Sequence, residues 1–237
     1  MCAGCQNKCC REEILYKVAG NFARLQPMQR PLTAPNVFDR TSTKATLVAV
    51  FAALSLVTNY ALIALPNIKL MDALVFIAAF LFGLRLGIGV AASTWLVYGF
   101  VNPYGQADFV LLSFLIAGEC FYAVAGAALS RTFVARDLLR KSRVQWRPSP
   151  VFAYSKLGLA FALVGFQATF AYDLLTNFGS WIFKTNSLYQ AFVIGIITGA
   201  PFAVLHEVSN IVFFGTVAPV VIVAAKRFGL GRTEEKG

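Results

Sequence analysis

The sequence predicts an all-α integral membrane protein with six transmembrane helices and both termini in the cytoplasm. Hydrophobic residues make up 58% of the 237-residue chain, and the mean hydropathy is +0.66. Only 14% of the residues are charged, well below the roughly 25% of soluble domains. Because several apolar runs are also long enough to cross a bilayer, one polytopic membrane domain is favoured over a soluble fold.

The basic residues flank the apolar runs and indicate the orientation. The net charge is +10, and 19 of the 21 Lys and Arg lie at or before Lys44, at Arg85, from Arg131 to Lys156, or after the last run. With six spans these positions share one side, as the positive-inside rule expects of the cytoplasmic face. Only Lys69 and Lys184 lie opposite. Because no basic run alternates with aromatic residues in a polar domain, nucleic-acid binding is not expected.

Six apolar runs account for the predicted spans. Their bounds are 44–65, 70–84, 86–101, 109–129, 154–178 and 188–223. The second is short, and we expect it to be tilted or partly buried. The last is too long for one vertical helix at about 1.5 Å per residue. It is predicted to form one long helix bent at Gly199, Pro201 or Pro219, or two short helices.

Three segments follow from these runs. A polar cytoplasmic tail with a cysteine cluster covers 1–43, the six-helix membrane domain covers 44–225, and a basic cytoplasmic tail covers 226–237. The first 40 residues lack an apolar stretch followed by a small-residue cleavage site, so no signal peptide is expected. The predicted location is the cell membrane, with multiple passes.

Three acidic side chains, Glu119, Asp173 and Glu207, lie inside apolar runs. A charge in hydrocarbon costs roughly 2.5–3.5 kcal/mol on insertion scales, and it persists mainly where it faces a polar cavity, a partner or a proton path. Glu119 lies about ten residues into the fourth run, roughly 15 Å deep at helical rise. We interpret it as a ligand contact or ion site; the alternative is an internal hydrogen bond to another helix.

Asp173 is accompanied by Thr176 and Asn177 at helical spacing, near the end of the fifth run. Residues three and four apart share a helix face. Three polar groups on one face of an apolar helix favour a pocket wall. A capping and packing role before Gly179 is the alternative.

His206, Glu207 and Asn210 form a polar patch within one turn of the last run. His206 is the only histidine, which excludes an HExxH zinc site because that motif needs a second one. A ligand-binding role and a structural hydrogen-bonding role both remain open. No catalytic residue is assigned and no enzyme is expected, since GxSxG and paired aspartate motifs are also missing.

The aromatic residues divide by depth. Trp181 and Tyr189 suit an interfacial belt, the usual place for Trp and Tyr in membrane proteins. Tyr98 and Tyr122 are deeper or beside polar residues, so they suit stacking on a planar ring or hydrogen bonding to a ligand.

Small residues recur on the first predicted helix. Ala45, Ala49 and Ala53 repeat every four residues and leave a smooth stripe that another helix can approach closely. This stripe is a predicted docking surface.

The amino terminus places four thiols within nine residues, at Cys2, Cys5, Cys9 and Cys10. On a cytoplasmic tail these thiols would be reduced and able to wrap Zn²⁺. Membrane-proximal acylation and a disordered tail are equally open alternatives. No cofactor is expected in the membrane domain.

Four segments together resemble the substrate-binding S components of energy-coupling factor (ECF) transporters. Pro66–Gly83 is similar to the loop and second helix of that family, and Trp95–Gly105 also resembles it. Tyr172–Asn177 and Pro201–Asn210 look like its fifth and sixth helices. The resemblance covers about residues 44–225.

The resemblance implies a six-helix subunit that captures a vitamin or related micronutrient from outside. The implied pocket is formed by helices four to six and the loop after helix one. It would contain the following residues: Glu119, Tyr122, Asp173, Asn177, His206 and Asn210. Asn67 and Lys69 would belong to its lid.

The resemblance also implies partners. The stripe of Ala45, Ala49 and Ala53 would contact a transmembrane coupling subunit that sits on two ATPases. ATP hydrolysis would come from those partners, because the chain has no Walker A motif. The alternatives are a stand-alone carrier or channel that uses Glu119, Asp173 and Glu207 as a relay, and, less favoured, an intramembrane enzyme.

Overall fold

A computed structural model describes residues 38, 40–103, 105–133, 135–137, 139 and 151–231, with only the backbone for 151–155. All regular secondary structure in these residues is helical. The helices are α1 (Thr41–Ala61), α2 (Met71–Phe82), α3 (Leu84–Val101), α4 (Phe109–Arg131), α5 (Val151–Trp181), α6 (Leu188–Val212) and α7 (Ala218–Arg227), with a π-helical turn (Phe213–Val217) between α6 and α7.

Five helical stretches are long and apolar enough to cross a membrane, as in a multi-pass membrane protein. They are Thr41–Ala61, Leu84–Val101, Phe109–Arg131, Lys156–Trp181 and Leu188–Arg227. The predicted all-α membrane fold is therefore confirmed at this level. The sixth predicted span is the 12-residue α2, which is only about 18 Å long. The six-span count and the orientation stay predictions.

The last apolar run is one continuous helical stretch of 40 residues, so the two-helix option is wrong. The π-helical turn Phe213–Val217 comes directly before Ala218 and Pro219. Proline has no N–H to donate, and a wider turn is one way for a helix to absorb such an interruption. Pro201 lies inside α6 as well, and the helix continues past it.

The core is built around α2, which is buried along almost its whole length. Phe76 of α2 packs on Phe161 of α5 and Phe214 of the π-helical turn, with ring centroids 5.4 and 5.0 Å apart. By contrast, only Ala52, Ser55 and Asn59 of α1 are buried. α1 is therefore a peripheral helix, while α2 holds the other helices together.

The end of the bundle at which α1, α3 and α5 end and α2, α4 and α6 begin is called the upper end. The loop of residues 62–70, between α1 and α2, lies here and contacts α6. Asn67 takes a positive φ of 59°, and its Nδ2 donates to the Phe202 carbonyl at 2.9 Å.

Close packing of α2 against α4 depends on Gly126. A Cβ at this position would lie 2.3 Å from the Phe76 carbonyl oxygen. At Gly89 an added Cβ would meet only the Val48 side chain, at 3.1 Å. The two glycines therefore form a matched pair: both are helical, but only Gly126 faces backbone.

We expect Gly126→Ala to destabilise the protein by about 1–3 kcal/mol through overpacking, despite its gain in helix propensity. Gly89→Ala should be neutral or slightly stabilising. Thermal unfolding of the purified chain in detergent measures both. Equal melting temperatures for the two variants would contradict the proposed α2–α4 contact.

Candidate functional site

His206 lies between two aspartates at the centre of the bundle. Its Nε2 is 2.6 Å from Asp72 Oδ2, and its Nδ1 is 2.9 Å from Asp173 Oδ1. The three residues come from α6, α2 and α5, and the exposed fraction of each is 7% or less. The contact therefore joins three helices through charged groups removed from solvent.

The geometry sets the number of protons that this trio holds. A neutral imidazole has one N–H donor and one acceptor nitrogen. Since both nitrogens of His206 face carboxylate oxygens, a second proton is required, either on the ring or on Asp72 or Asp173. In both cases the trio carries two protons on its two hydrogen bonds and a net charge of −1.

Asn210, one turn beyond His206, extends this network. Its Nδ2 is 2.8 Å from Asp72 Oδ2 and 2.8 Å from Thr169 Oγ1, with Tyr122 OH at 3.3 Å. Tyr122 OH also donates to Thr169 Oγ1 at 3.2 Å. Residues of α2, α4, α5 and α6 thus share one hydrogen-bond network.

Glu119 lies near this network, on α4. Trp95 Nε1 donates to Glu119 Oε2 at 3.0 Å, and both side chains are buried. Lys69 Nζ lies 5.0 Å from the centroid of the Trp95 ring, within the range of a cation–π interaction. We call the following set the buried polar cluster: Asp72, Trp95, Glu119, Tyr122, Thr169, Asp173, His206 and Asn210.

Several oxygens of this cluster are buried without a hydrogen-bond partner: Glu119 Oε1, Asp173 Oδ2 and Asn210 Oδ1. Leaving such a group unmatched costs about 1–3 kcal/mol. Among the described residues, the other buried side-chain atoms without a partner are Asn59 Oδ1, the two Glu207 oxygens, and the hydroxyl oxygens of Ser55 and Thr94. Most of these atoms are carboxyl or amide oxygens, so the interior suits a guest that donates hydrogen bonds.

A cavity of about 380 Å³ lies at the upper end. Its polar lining comes from Asn59, Asn67, Lys69, Tyr98 and Asn102, and the 62–69 loop contributes much of the rest, with Phe202 of α6. This volume falls in the range of small-ligand sites, roughly 300–1,000 Å³. We call it the upper cavity.

The upper cavity adjoins the buried polar cluster. Lys69 lines it and also faces Trp95, the donor to Glu119. Tyr98 lines it too, with its ring edge-on to Trp95 at a centroid distance of 5.7 Å. The loop that covers this cavity leads directly into α2, where Asp72 is the second residue.

The predicted site residues divide into three groups. Glu119, Tyr122, Asp173, His206 and Asn210 belong to the buried polar cluster. The last four share one hydrogen-bond network that includes Asp72, while Glu119 accepts from Trp95 beside it.

The second group, Asn67, Lys69 and Tyr98, lines the upper cavity. The upper cavity therefore lies between the 62–70 loop, the carboxyl-terminal ends of α1 and α3, and α6.

The third group is the predicted shared face of Asp173, Thr176 and Asn177, whose side chains point to different neighbours in the structure. Thr176 points to α4, where it limits the space beside Gly118, while Asn177 fills the space beside Gly199 of α6. Asp173 faces His206 between them. The three residues have the helical spacing that was predicted, but their side chains contact different neighbours and do not form one polar face.

Glu207 lies outside the buried polar cluster. It lines a groove of about 450 Å³ between α5 and α6, and neither of its carboxylate oxygens has a hydrogen-bond partner. His206 faces inward on the same turn, and the two adjacent residues point about 100° apart around α6.

Sequence reasoning missed Asp72, which contacts both His206 and Asn210. It was overlooked because it begins a short apolar run beside Lys69, where an acid is also expected at a helix amino terminus. The sequence signal that could have identified Asp72 is an aspartate followed directly by ten apolar residues. Thr169 was missed because an isolated threonine in a helix usually bonds its own backbone, as it also does here to the Gly165 carbonyl.

The predicted docking stripe lies on the bundle surface. Ala45, Ala49 and Ala53 are all exposed on α1. The four amino-terminal cysteines predicted to bind zinc lie outside the described residues. Within the described ranges, no group of three or more His, Cys, Asp or Glu could hold a metal ion.

Comparison with known proteins finds no match to any family model, curated protein or solved structure.

The His206 bridge gives a stability prediction. We expect His206→Ala to cost about 3–5 kcal/mol, because it leaves two buried carboxylates without their shared partner. Adding Asp72→Asn should recover part of that loss by removing one charge. Chemical unfolding in detergent measures the cycle, with Ser209→Ala, whose hydroxyl donates to the His206 carbonyl, as the control. A double variant no more stable than His206→Ala would contradict the bridge.

Proposed function

We propose that the chain is the substrate-capture subunit of an ATP-driven micronutrient importer, similar to the S component of an ECF transporter. The observation that carries this proposal is a buried cluster of unmatched acceptor oxygens beneath a loop-covered cavity, inside an all-helical membrane bundle. A bound ligand would supply the missing donors. The ligand would be a vitamin or vitamin precursor taken from outside the cell membrane.

In the proposed topology α2 is the sixth span. Because this helix is too short to cross the bilayer alone, the 62–70 loop completes its path through the membrane. Six crossings put both termini in the cytoplasm together with 19 of the 21 Lys and Arg. The upper end then faces outward. This places the upper cavity where an external ligand first meets the protein.

The ligand chemistry follows from the acceptors and the rings. Glu119 Oε1 and Asn210 Oδ1 have no hydrogen-bond partner among the described residues. Trp95 and Tyr98 supply aromatic surface between Glu119 and the cavity. A planar ring with a positive charge or several N–H groups is the class that best matches these features.

Entry into the cluster would require movement of the 62–70 loop. Asn67 fastens this loop to α6 through the Phe202 carbonyl, and Lys69 rests over Trp95. A cationic ligand would displace Lys69 from that ring. Loop opening would then expose Glu119 and the His206 bridge together.

We expect Glu119→Gln to weaken binding of such a ligand by about tenfold or more, because a charge-assisted hydrogen bond becomes a neutral one. A panel of vitamins and precursors is titrated against the purified chain by calorimetry. Asp108→Asn is the matched control: Asp108 caps α4 through the Leu111 amide, and asparagine also caps helices. Failure of every panel member to bind with micromolar affinity would contradict the proposal.

The proposed partners are a transmembrane coupling subunit and two ATPases. The Ala45, Ala49 and Ala53 stripe is exposed on the least buried helix of the bundle. Small residues let two helices approach closely. The stripe is therefore the proposed docking surface for the coupling subunit.

We expect Ala49→Trp to abolish co-purification with a coupling module while ligand affinity stays unchanged. The bulky ring would hold the two helices apart without entering this bundle. Leu54→Trp, at an exposed position about 140° around α1 from Ala49, is the control and should leave association intact. Equal association of both variants would exclude the stripe as the docking surface.

A second candidate is a stand-alone proton-coupled carrier. The observation that favours it is the His206 bridge, because an imidazole between two carboxylates can pass a proton from one to the other. Proton-driven uptake by liposomes containing only this chain would favour the carrier over the importer subunit. An intramembrane enzyme is the least supported alternative, and turnover lost in His206→Ala would revive it.

A further inference from the structure

The groove between α5 and α6 is a second concave site, separate from the upper cavity. Its volume is about 450 Å³, and the two sites share no lining residue. Nine of its twelve lining residues are apolar, and the other three are Asp173, Asn177 and Glu207. Several of the apolar side chains are exposed on the surface of membrane-type helices, so the groove opens toward the acyl chains of the bilayer.

One wall of the groove is aromatic. Phe166 and Phe170 stack with centroids 6.4 Å apart and an interplanar angle of 21°. Ala200 and Ala203 lie on the opposite helix at helical spacing, where their small side chains leave open space. A flat or linear apolar group can therefore lie between the two helices.

Two carboxyl groups also line this apolar groove. Asp173 is only 7% exposed; one of its oxygens contacts His206, and the other has no partner. Both oxygens of Glu207 are buried without a partner as well. These three oxygens have no hydrogen-bond partner, and the amide of Asn177, which also lines the groove, is not bonded to them.

Unpaired carboxylates facing hydrocarbon are costly. Lipid tails cannot supply the missing donors, and water has little access among the apolar walls. A guest with a cationic N–H group and an apolar body satisfies both parts of the groove, because the ammonium bonds the carboxylates and the body covers the apolar walls.

We propose that the α5–α6 groove is a bilayer-facing binding site for an amphiphilic ammonium compound. The ammonium group binds Glu207 and the free oxygen of Asp173. The hydrocarbon part lies along Phe166, Phe170 and Val204. This site goes beyond the proposed importer function, because it lies outside the upper cavity and takes its ligand from the membrane.

The depth of the groove agrees with this ligand class. Asp173 lies eight residues before the end of α5, about 12 Å along the helix axis. A site this far from the helix end lies at the level of the acyl chains, so a guest that reaches it needs a hydrocarbon part as well as the ammonium. An aminolipid headgroup and a free hydrophobic amine share this chemistry.

The test uses the full chain in phosphatidylcholine nanodiscs and a dodecylamine that carries a photoreactive diazirine on its chain. After irradiation, mass spectrometry locates the labelled residues. The proposal expects labels on the groove faces of α5 and α6, displaced by dodecylamine and not by dodecanol. Labels spread evenly over the bundle, or equal displacement by dodecanol, would show simple partitioning and overturn the proposal.

Two variants test the carboxylate and the groove separately. Glu207→Gln should reduce labelling by about tenfold at a subsaturating probe concentration, since it removes a charge-assisted hydrogen bond. Ala200→Phe should reduce it similarly by filling the groove from its exposed side. Asp108→Asn and Val124→Phe, a matched charge change and a matched exposed bulky substitution, should leave labelling unchanged. Full labelling of Glu207→Gln would overturn the site.

Two further arms identify the source of the ammonium. Competition by phosphatidylethanolamine, together with its Glu207-dependent co-purification, would identify an aminolipid. Competition by dodecylamine alone would identify a free amine, and either result supports the proposal. A dimer in light scattering that dissociates in Glu207→Gln would assign the groove to a second copy of the chain, and would overturn it.

Discussion

The contact of His206 with Asp72 and Asp173 is the interaction on which the rest of the structure depends. It joins α2, α5 and α6 through two short hydrogen bonds. Charged groups inside a membrane bundle are costly, and pairing them lowers that cost. Any sliding or rotation of one helix would separate a carboxylate from the imidazole. The bridge therefore sets the register of α2 against the α5–α6 pair, and Asn210 reinforces it by bonding Asp72 from the same face of α6.

The position of Asp72 links this register to the upper cavity. Asp72 is the second residue of α2, so the 62–70 loop ends directly beside the bridge. Asn67 and Lys69 fasten the loop to α6 and to the Trp95 ring. A change in the charge of the bridge would thus be transmitted within a few residues to the loop that covers the cavity. In the proposed importer, this connection would couple ligand capture to rearrangement of the helices.

Glu119 and Glu207 have the same sequence pattern but different structural environments. Both are acids in apolar runs, and both have unpaired oxygens. Glu119 faces inward and is held by Trp95, whereas Glu207 faces the α5–α6 groove beside exposed apolar side chains. Their neighbours differ because Glu119 meets α3 across a packed interface, while Glu207 lies one residue beyond His206 and so points to another side of α6.

The sequence alone determined the all-helical membrane fold, the limits of most helices and the presence of polar groups at Glu119, Asp173 and His206 within apolar runs. It could do so because hydropathy and helical spacing are local properties of the chain. The tertiary structure decided which polar groups meet. Asp72 and His206 are 134 residues apart in sequence, and no local pattern specifies that contact. The tertiary structure also directed Thr176 and Asn177 toward different helices and buried the short α2, because side-chain direction depends on how the helices rotate and pack against one another. Those rotations follow from the whole set of interhelical contacts, including the glycines that let α2 and α4 touch.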